Sequence, residues 1–437
     1  MSGLGTTKMG FDEEALASLP AVTPFVDSLR KQAFEEYLAL PVPSQETEEW
    51  RYTDLSAFDL SFTPFVSGGG PESLAGTQVL KEAGVVGERA GLQIQRNSEV
   101  VSTRAADSLS KKGVIFCDLD RAAALHPDLV EPNLHTLVPT SRTKFTALHG
   151  AFRTAGTFLY VPPATTVELP LQTLTYLDAD GAAVFPHTLI VVGEDAEVTF
   201  IDRFASPDLS RGFSDAIVEI VAGPASRVRY VSIQEWGSGV THLGVQRARV
   251  GRGADFRSLA IGFGASLARA EAESVLAEPG GSSEMLGVFF ADGTQHFDHR
   301  SVQDHVAPNC TSDLLYKGAL KGASRAVYSG WVHVRKEAQK TNAMQTSRNM
   351  VLSERAKADA IPNLEIEAND VRCGHAASVG PVEEETLFYL QSRGIPRKEA
   401  ERLVVFGFFG EVLDRVLLSE VRDSAAATIE AELAKED

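Results

Sequence analysis

The feature that most constrains this chain is a turn that returns at a nearly fixed interval. Gly193-x-x-Ala196-x-Val198, Gly223-x-Ala225-x-x-Val228 and Gly251-x-x-Ala254-x-Phe256 set their alanines 29 residues apart, and Gly280-Gly281-Ser282-Ser283 continues the rhythm. Later turns, Lys321-Gly322-Ala323 and Glu354-Arg355-Ala356, recur at longer spacing. Short β-rich runs lie between them, FLYVPP, TVELPLQTLTYL, HTLIVVG, EVTFID, AIVEIVAG and RVRYVSIQEW. Turn, strand and turn repeated at this length predict a β-solenoid, in which each coil buries its inward row on the next. A β-sandwich with coincidental glycines is the alternative that periodicity leaves open.

At 437 residues the chain exceeds the size at which one compact core stops growing, so several domains or an elongated architecture are expected. The texture divides it into 1–150, 151–380 and 381–437. In the first part Phe25, Val26, Leu29, Ala33, Phe34 and Leu38 recur at helical spacing behind Thr23 and Pro24, a cap and a first-turn proline. The polar run SQETEEWRYTDLSAF and a Gly68-Gly69-Gly70-Pro71 loop follow. In the mixed α/β stretch up to residue 140, GVIFCDLD reads as a buried strand and AAALHPDLV as a short helix, which makes Cys117 a core thiol. In the third part TLFYLQSR is helical up to Gly394, and Pro396 opens a second helix striped by Leu403, Val404, Val412, Leu413, Val416 and Leu417. This helical pair is expected to cap the last coil and also to dock a partner, and Phe406, Phe408 and Phe409 add bulk to it beside Gly407 and Gly410. The polar end, AAATIEAELAKED, is expected to fray.

A net charge of −18 without a basic cluster disfavours nucleic acid. The N-terminus has no apolar h-region, and no run of about 18 apolar residues occurs, so no membrane is predicted and the chain reads as cytoplasmic. Three scattered cysteines, Cys117, Cys310 and Cys373, make no disulfide framework and no C-x-x-C pair. The strongest candidate for chemistry is LEIEANDVRCGHAASVG, where Cys373 stands two residues before His375. A soft thiolate and an imidazole suit iron, zinc or copper, and a neighbouring Arg372 would favour the thiolate. Two ligands hold no cluster alone, so another chain would complete the set. The parity of Leu364, Ile366 and Ala368 marks an inward row and places Cys373 and His375 outward, unless Asn369-Asp370 turns the chain and resets the register. A structural cysteine beside a surface histidine is the bland alternative. His296, His299 and His305 ahead of Cys310 form a second group, but residues three apart in a strand face opposite ways, so only a loop would converge them. The other histidines stand alone in the sequence. No Gly-Lys pair, HExxH or G-x-S-x-G occurs, so neither a P-loop nor two common hydrolase signatures are present.

The run AQKTNAMQTSRNMVLSERAKADAIPNLEIEANDVRCGHAASVGPVEEETLFYLQSRGIP resembles the core signature of the SufB/SufD family, scaffold subunits of the SUF iron–sulfur cluster assembly system. EEWRYTDL, FTALHGAFRTAGTFLYVPPATTVELPL and HVAPNCTSDLLYKGAL resemble it too, in the same order. The chain is more similar to the SufD branch, because SufB carries acidic residues on both sides of the histidine that aligns with His375, where this chain has Gly374 and Ala376. It also departs from the usual SufD run K-C-S-H-G-A-T, reading Arg372-Cys373-Gly374-His375-Ala376-Ala377-Ser378. The resemblance implies a mainly β fold, a right-handed parallel β-helix core flanked by an N-terminal mixed α/β region and a C-terminal helical domain. It implies a non-catalytic scaffold that pairs with a SufB paralogue and binds the SufC ATPase, which would hydrolyse the ATP, through its C-terminal helices, with Phe406, Phe408 and Phe409 as the expected partner-binding residues and a core role as their alternative. On this expectation no cofactor is held stably, and a transient iron–sulfur cluster is shared with SufB through His375 and Cys373. A SufB-like homodimer that needs no paralogue, and a carbohydrate-active β-helix enzyme, are the rival readings.

Overall fold

The computed structural model describes residues 10–56, 58–74, 77–83 and 87–435. From Thr157 to Pro381 the chain winds through eight coils, each giving one strand to each of two facing ten-stranded sheets. All neighbours within this stack are parallel and in register: Arg227 pairs with Asp255 and Asp255 with Ser282, intervals of 28 and 27 residues. The sequence period is therefore the circumference of a coil, and the solenoid replaces the sandwich alternative.

The repeating turn has a physical origin that residue identity alone obscured. Ala164, Asp195, Ala225, Gly253, Gly280, Asn309 and Lys340 all have positive φ, between 51° and 77°. Each donates its N–H to the carbonyl before its counterpart on the next coil: Asp195 to Pro224, Ala225 to Arg252, Gly253 to Pro279 and Gly280 to Pro308. This column explains Gly253 and Gly280, since left-handed backbone costs an L-residue roughly 1–2 kcal/mol; the periodic Gly193, Gly223 and Gly251 lie two residues before it, where a Cβ would come within 2.5 to 2.8 Å of the backbone of the preceding coil. Ala225 belongs to the column, whereas Ala196 and Ala254 are buried one position later, level with the fully buried Ser226. The 29-residue spacing of the alanines thus joins two structural positions that differ by one residue.

Inside the early coils the inward rows are apolar, with Val198, Phe200, Val228, Tyr230 and Phe256 in one cluster. Further along they turn polar: Gln303, Ser312, Gln345, Ser347 and Asn349 are buried, and both side-chain atoms of Gln345 and of Asn349 lack partners. The outer faces are apolar too, so each needs a cover. One is covered by the N-terminal region. Helix Pro24–Ala39 starts where the sequence places it, with the Thr23 hydroxyl accepting from Val26 N–H at 3.2 Å. It packs on helix Lys144–Phe152 around Ala33, Phe34 and Phe152, while Leu38 of the expected stripe is exposed and Tyr37 is buried instead. The EEWRYTDL motif docks here: Trp50 lies 4.0 Å from the buried Arg269 guanidinium, and Thr53 Oγ1 donates to Asp298 at 2.6 Å. Arg269 in turn pairs with Asp298 at 2.5 Å. The strand around Cys117 spans Ile115–Asp118, and burial pushes that thiol up to about 11. AAALHPDLV is broken into two helices, Leu119–Leu125 and Pro127–Val130, by the proline.

The C-terminal part contains three helices, Glu384–Ser392, Arg397–Leu413 and Ser419–Ala434. They do not cap the last coil, which corrects the expectation above. Val405, Phe409, Val412 and Ile429 instead lie across the outer face of the other sheet, on Val231, Leu259, Leu286 and Leu315. The reason is the demand of that face for cover. Leu403 and Leu417 of the expected stripe are exposed, because the buried stripe runs through Val405 and Phe409. The tail does not fray up to Ala434, since Val421, Ala425 and Ile429 are buried. Lys317, buried on the sheet, anchors the covering helices by donating to the Phe408 carbonyl at 2.7 Å and pairing with Glu411 at 2.6 Å.

Candidate functional site

The two ends of the solenoid differ. At the first coil, antiparallel strands blunt both sheets: Gly91–Arg96 pairs with Glu99–Ala105, and Ile115–Asp118 with Thr157–Val161. At the last coil, strands Lys357–Ile366 and Arg372–Pro381 end their sheets, and among the described residues no strand pairs with their outer edges. Each is ten residues long and offers a row of unused backbone donors and acceptors. Four large apolar side chains of the last two coils, Trp331, Met344, Ile366 and Val379, are 41 to 48 % exposed. An open sheet edge with exposed apolar groups beside it marks an association surface.

Cys373 and His375 lie on this terminal strand. The turn at residues 367–371 resets the register, so Leu364 lies inward as expected but Cys373 and His375 do too. Cys373 stacks on buried Ala343, His375 on buried Gln345 and Ala377 on Ser347. The outward placement predicted from parity is therefore overturned. The column ends at this coil, so His375 is exposed and Cys373 half-buried, at the mouth of the polar lumen that contains Gln345 and Asn349. Partial burial pushes the Cys373 thiol up, so Arg372 does not make it a ready thiolate. Beside this strand a groove of about 540 Å³ runs between Ala376–Pro381 and the helices, with Phe408 on its wall.

The three phenylalanines divide. Phe409 is buried against the solenoid, whereas Phe406 and Phe408 are partly buried beside it. The exposed aromatics of the C-terminal helices are Phe388 and Tyr389, at 73 and 57 %, which sequence reading did not single out.

The second histidine group does not converge. His296–His305 is a strand; His296 lies outward, while His299 packs inward with its ring 4.6 Å from that of Phe289. His305 Nε2 lies 2.8 Å from the Ser312 hydroxyl, and the fully buried Cys310 donates its thiol to the Glu278 carbonyl at 3.4 Å. Among the described residues two other sets do gather ligand atoms within 4.8 Å: His333 with Glu365 and Glu367 at the last coils, and the buried His135, His149 and His187. Neither shows in the sequence as a motif. The buried three lie on a loop, a helix and a strand, successive members standing 14 and 38 positions apart, and only packing joins them.

Among the described residues no helix is long and apolar enough to cross a membrane. Residues 11–173 match the family described as "SufBD protein N-terminal region", and residues 175–408 match "SUF system FeS cluster assembly, SufBD core domain". The chain is 32 % identical to the iron–sulfur cluster assembly protein SufD of Bacillus subtilis, over 97 % of its own length and 98 % of that protein. It is 37 % identical to a SufBD family iron–sulfur cluster assembly protein of Mycobacterium tuberculosis, over 68 % of this chain and 75 % of the relative. A SufBD family protein of Staphylococcus saprophyticus is 32 % identical, over 73 % and 69 %. The solenoid, its two covers and these matches along almost the whole chain agree: this protein belongs to the SufBD family of the SUF iron–sulfur cluster assembly system.

Proposed function

We propose that this chain is a non-catalytic, SufD-like scaffold subunit that pairs through its last coil with a SufB paralogue. What supports this is the open end, two ten-residue edge strands with exposed apolar neighbours, which a partner of the same pleat covers by strand addition. Such pairing places His375 and Cys373 at the junction. There they face the cluster as cargo, with the paralogue supplying the remaining ligands. A protonated, half-buried thiol and one imidazole bind weakly alone, which suits a subunit that must release what it helps to build. SufC docks on the C-terminal helices through Phe388 and Tyr389, with the reachable parts of Phe406 and Phe408, and its ATP-driven movement is transmitted to the solenoid through the helix–sheet seam around Phe409 and Lys317.

Co-purification of the tagged chain from its own cytoplasm, with identification and native mass of the complex, tests this first. Recovery with an ABC-type ATPase and a longer paralogue is expected; a lone monomer overturns the proposal, and a stable homodimer favours a second copy on the same edge. In the reconstituted complex, His375→Ala or Cys373→Ala should slow cluster formation at unchanged subunit ratio. Normal assembly by both variants would remove them from the site. Phe388→Glu/Tyr389→Glu should abolish SufC binding while leaving the fold intact.

A further inference from the structure

We propose that His135, His149 and His187 form a buried binding site for one divalent transition-metal ion, which joins the N-terminal region to the solenoid. His187 begins a strand of the covered sheet and faces its outer side, His149 comes from the helix packed on that side, and His135 comes from the loop that follows Pro127–Val130. All three are buried, and their ligand atoms lie within 4.8 Å of one another.

The hydrogen bonds fix where the lone pairs point. His149 Nδ1 lies 2.8 Å from the Asp215 carbonyl oxygen, which only accepts, so Nδ1 carries the proton and Nε2 the lone pair. His135 Nδ1 lies 3.1 Å from the Val138 carbonyl in the same way, and its Nε2 is buried without any partner. His187 Nε2 lies 3.2 Å from Glu219 Oε2, a carboxylate that also accepts N–H groups from His135, Leu137 and Val138 at 2.6 to 3.0 Å. The proton of His187 is thereby held on Nε2, and its Nδ1 lone pair faces His149 Nε2 at 3.1 Å. Two lone pairs at that distance repel unless something positive lies between them.

A proton in the gap would make His187 an imidazolium. Burial opposes this, because both rings are enclosed away from water and a charged imidazolium there would lose its hydration. A metal ion meets the geometry better. Two imidazole nitrogens each about 2.0–2.1 Å from one tetrahedral ion are about 3.3 Å apart, close to the 3.1 Å between His149 Nε2 and His187 Nδ1. Each ring has its second nitrogen fixed by a carbonyl or carboxylate, the outer-shell pattern that orients metal-binding histidines. The donor set, three neutral nitrogens, suits zinc or ferrous iron.

The test is to unfold the full chain in denaturant with a chelator and refold it with excess Co²⁺ as a visible probe. About one cobalt per chain is expected, with the d–d absorption of nitrogen-ligated Co²⁺ and a raised Tm. His149→Asn keeps an amide donor for the Asp215 carbonyl, and His187→Gln keeps one for Glu219, but each removes a ligand, so both should lose the absorption. Cys373→Ala/His375→Ala should retain it, which separates this site from the cluster site at the last coil. Native refolding of the parent chain without cobalt, or equal uptake by both histidine variants, would overturn the proposal. Should the chain not refold, the metal content of protein purified from cells without chelator decides: near one zinc or iron per chain supports the site, and under a tenth overturns it.

Discussion

Replacing Asp298 by alanine tests how the N-terminal motif is held to the solenoid. The carboxylate is fully buried and accepts from Arg269 at 2.5 Å and Thr53 at 2.6 Å, with Arg300 Nε at 3.2 Å. Removing one partner of a buried ion pair costs about 3–5 kcal/mol, because the charge left behind has no solvent. Arg269, 2 % exposed at its side chain, is not wholly abandoned: Glu271 remains at 2.5 Å and the Glu49 carbonyl at 2.8 Å. The lower end, about 3 kcal/mol, is therefore expected. Thr53→Val removes a single hydrogen bond to a charged group, and about 1.5 kcal/mol is expected. Because both changes break the same contact, the double variant should lose about 1 kcal/mol less than their sum. Urea titration followed by tryptophan fluorescence measures this directly, as Trp50 stacks on Arg269 at 4.0 Å. With domain stabilities of about 5–15 kcal/mol, a 3 kcal/mol loss is easily resolved. A change below about 0.5 kcal/mol at unchanged slope, or a Thr53→Val cost above that of Asp298→Ala, would refute the reasoning.

Three further outcomes are expected. Burial depresses His242 to about 3 and His299 and His305 to about 4, so their contribution is complete above pH 6.5 and is lost as pH falls toward 4. Asp118, raised to about 6 by burial, runs the other way, its contribution present below pH 3.8 and fading as pH rises through 6. The net fall near pH 5 should be roughly 2–4 kcal/mol per pH unit, and a flat unfolding midpoint between pH 7 and 5 would contradict the assignment. Ala225→Gly relieves a left-handed alanine at φ 55° and should raise stability by about 0.5–1 kcal/mol, whereas the same change at Ala196, which lies outside the column, should lower it; thermal denaturation of the pair checks this. Lys317→Met removes the added hydrogen bond to the Phe408 carbonyl and the ion pair with Glu411 and should cost about 1–3 kcal/mol in denaturant titration, loosening the C-terminal helices before the solenoid, as hydrogen exchange would report.

What the sequence by itself determined is the part of the fold that repeats or stays local. The coil length, the N-terminal helix behind Thr23 and Pro24 and the helical C-terminus all follow from periodicity and capping, which act over a few residues. Family membership was legible for a related reason, since its motifs run in order along the chain. What only the tertiary structure decided depends on contacts between distant residues. A single turn at residues 367–371 reverses parity, so whether Cys373 and His375 face in or out depends on how the last coil stacks on Ala343 and Gln345. Cover of the solenoid was equally hidden, because apolar residues at both parities of a strand state that two faces are buried but not by what. The three buried histidines were invisible in sequence for the same reason: successive members are 14 and 38 residues apart, and they meet only because a helix and a loop of the N-terminal region pack on the outer face of a sheet wound later in the chain.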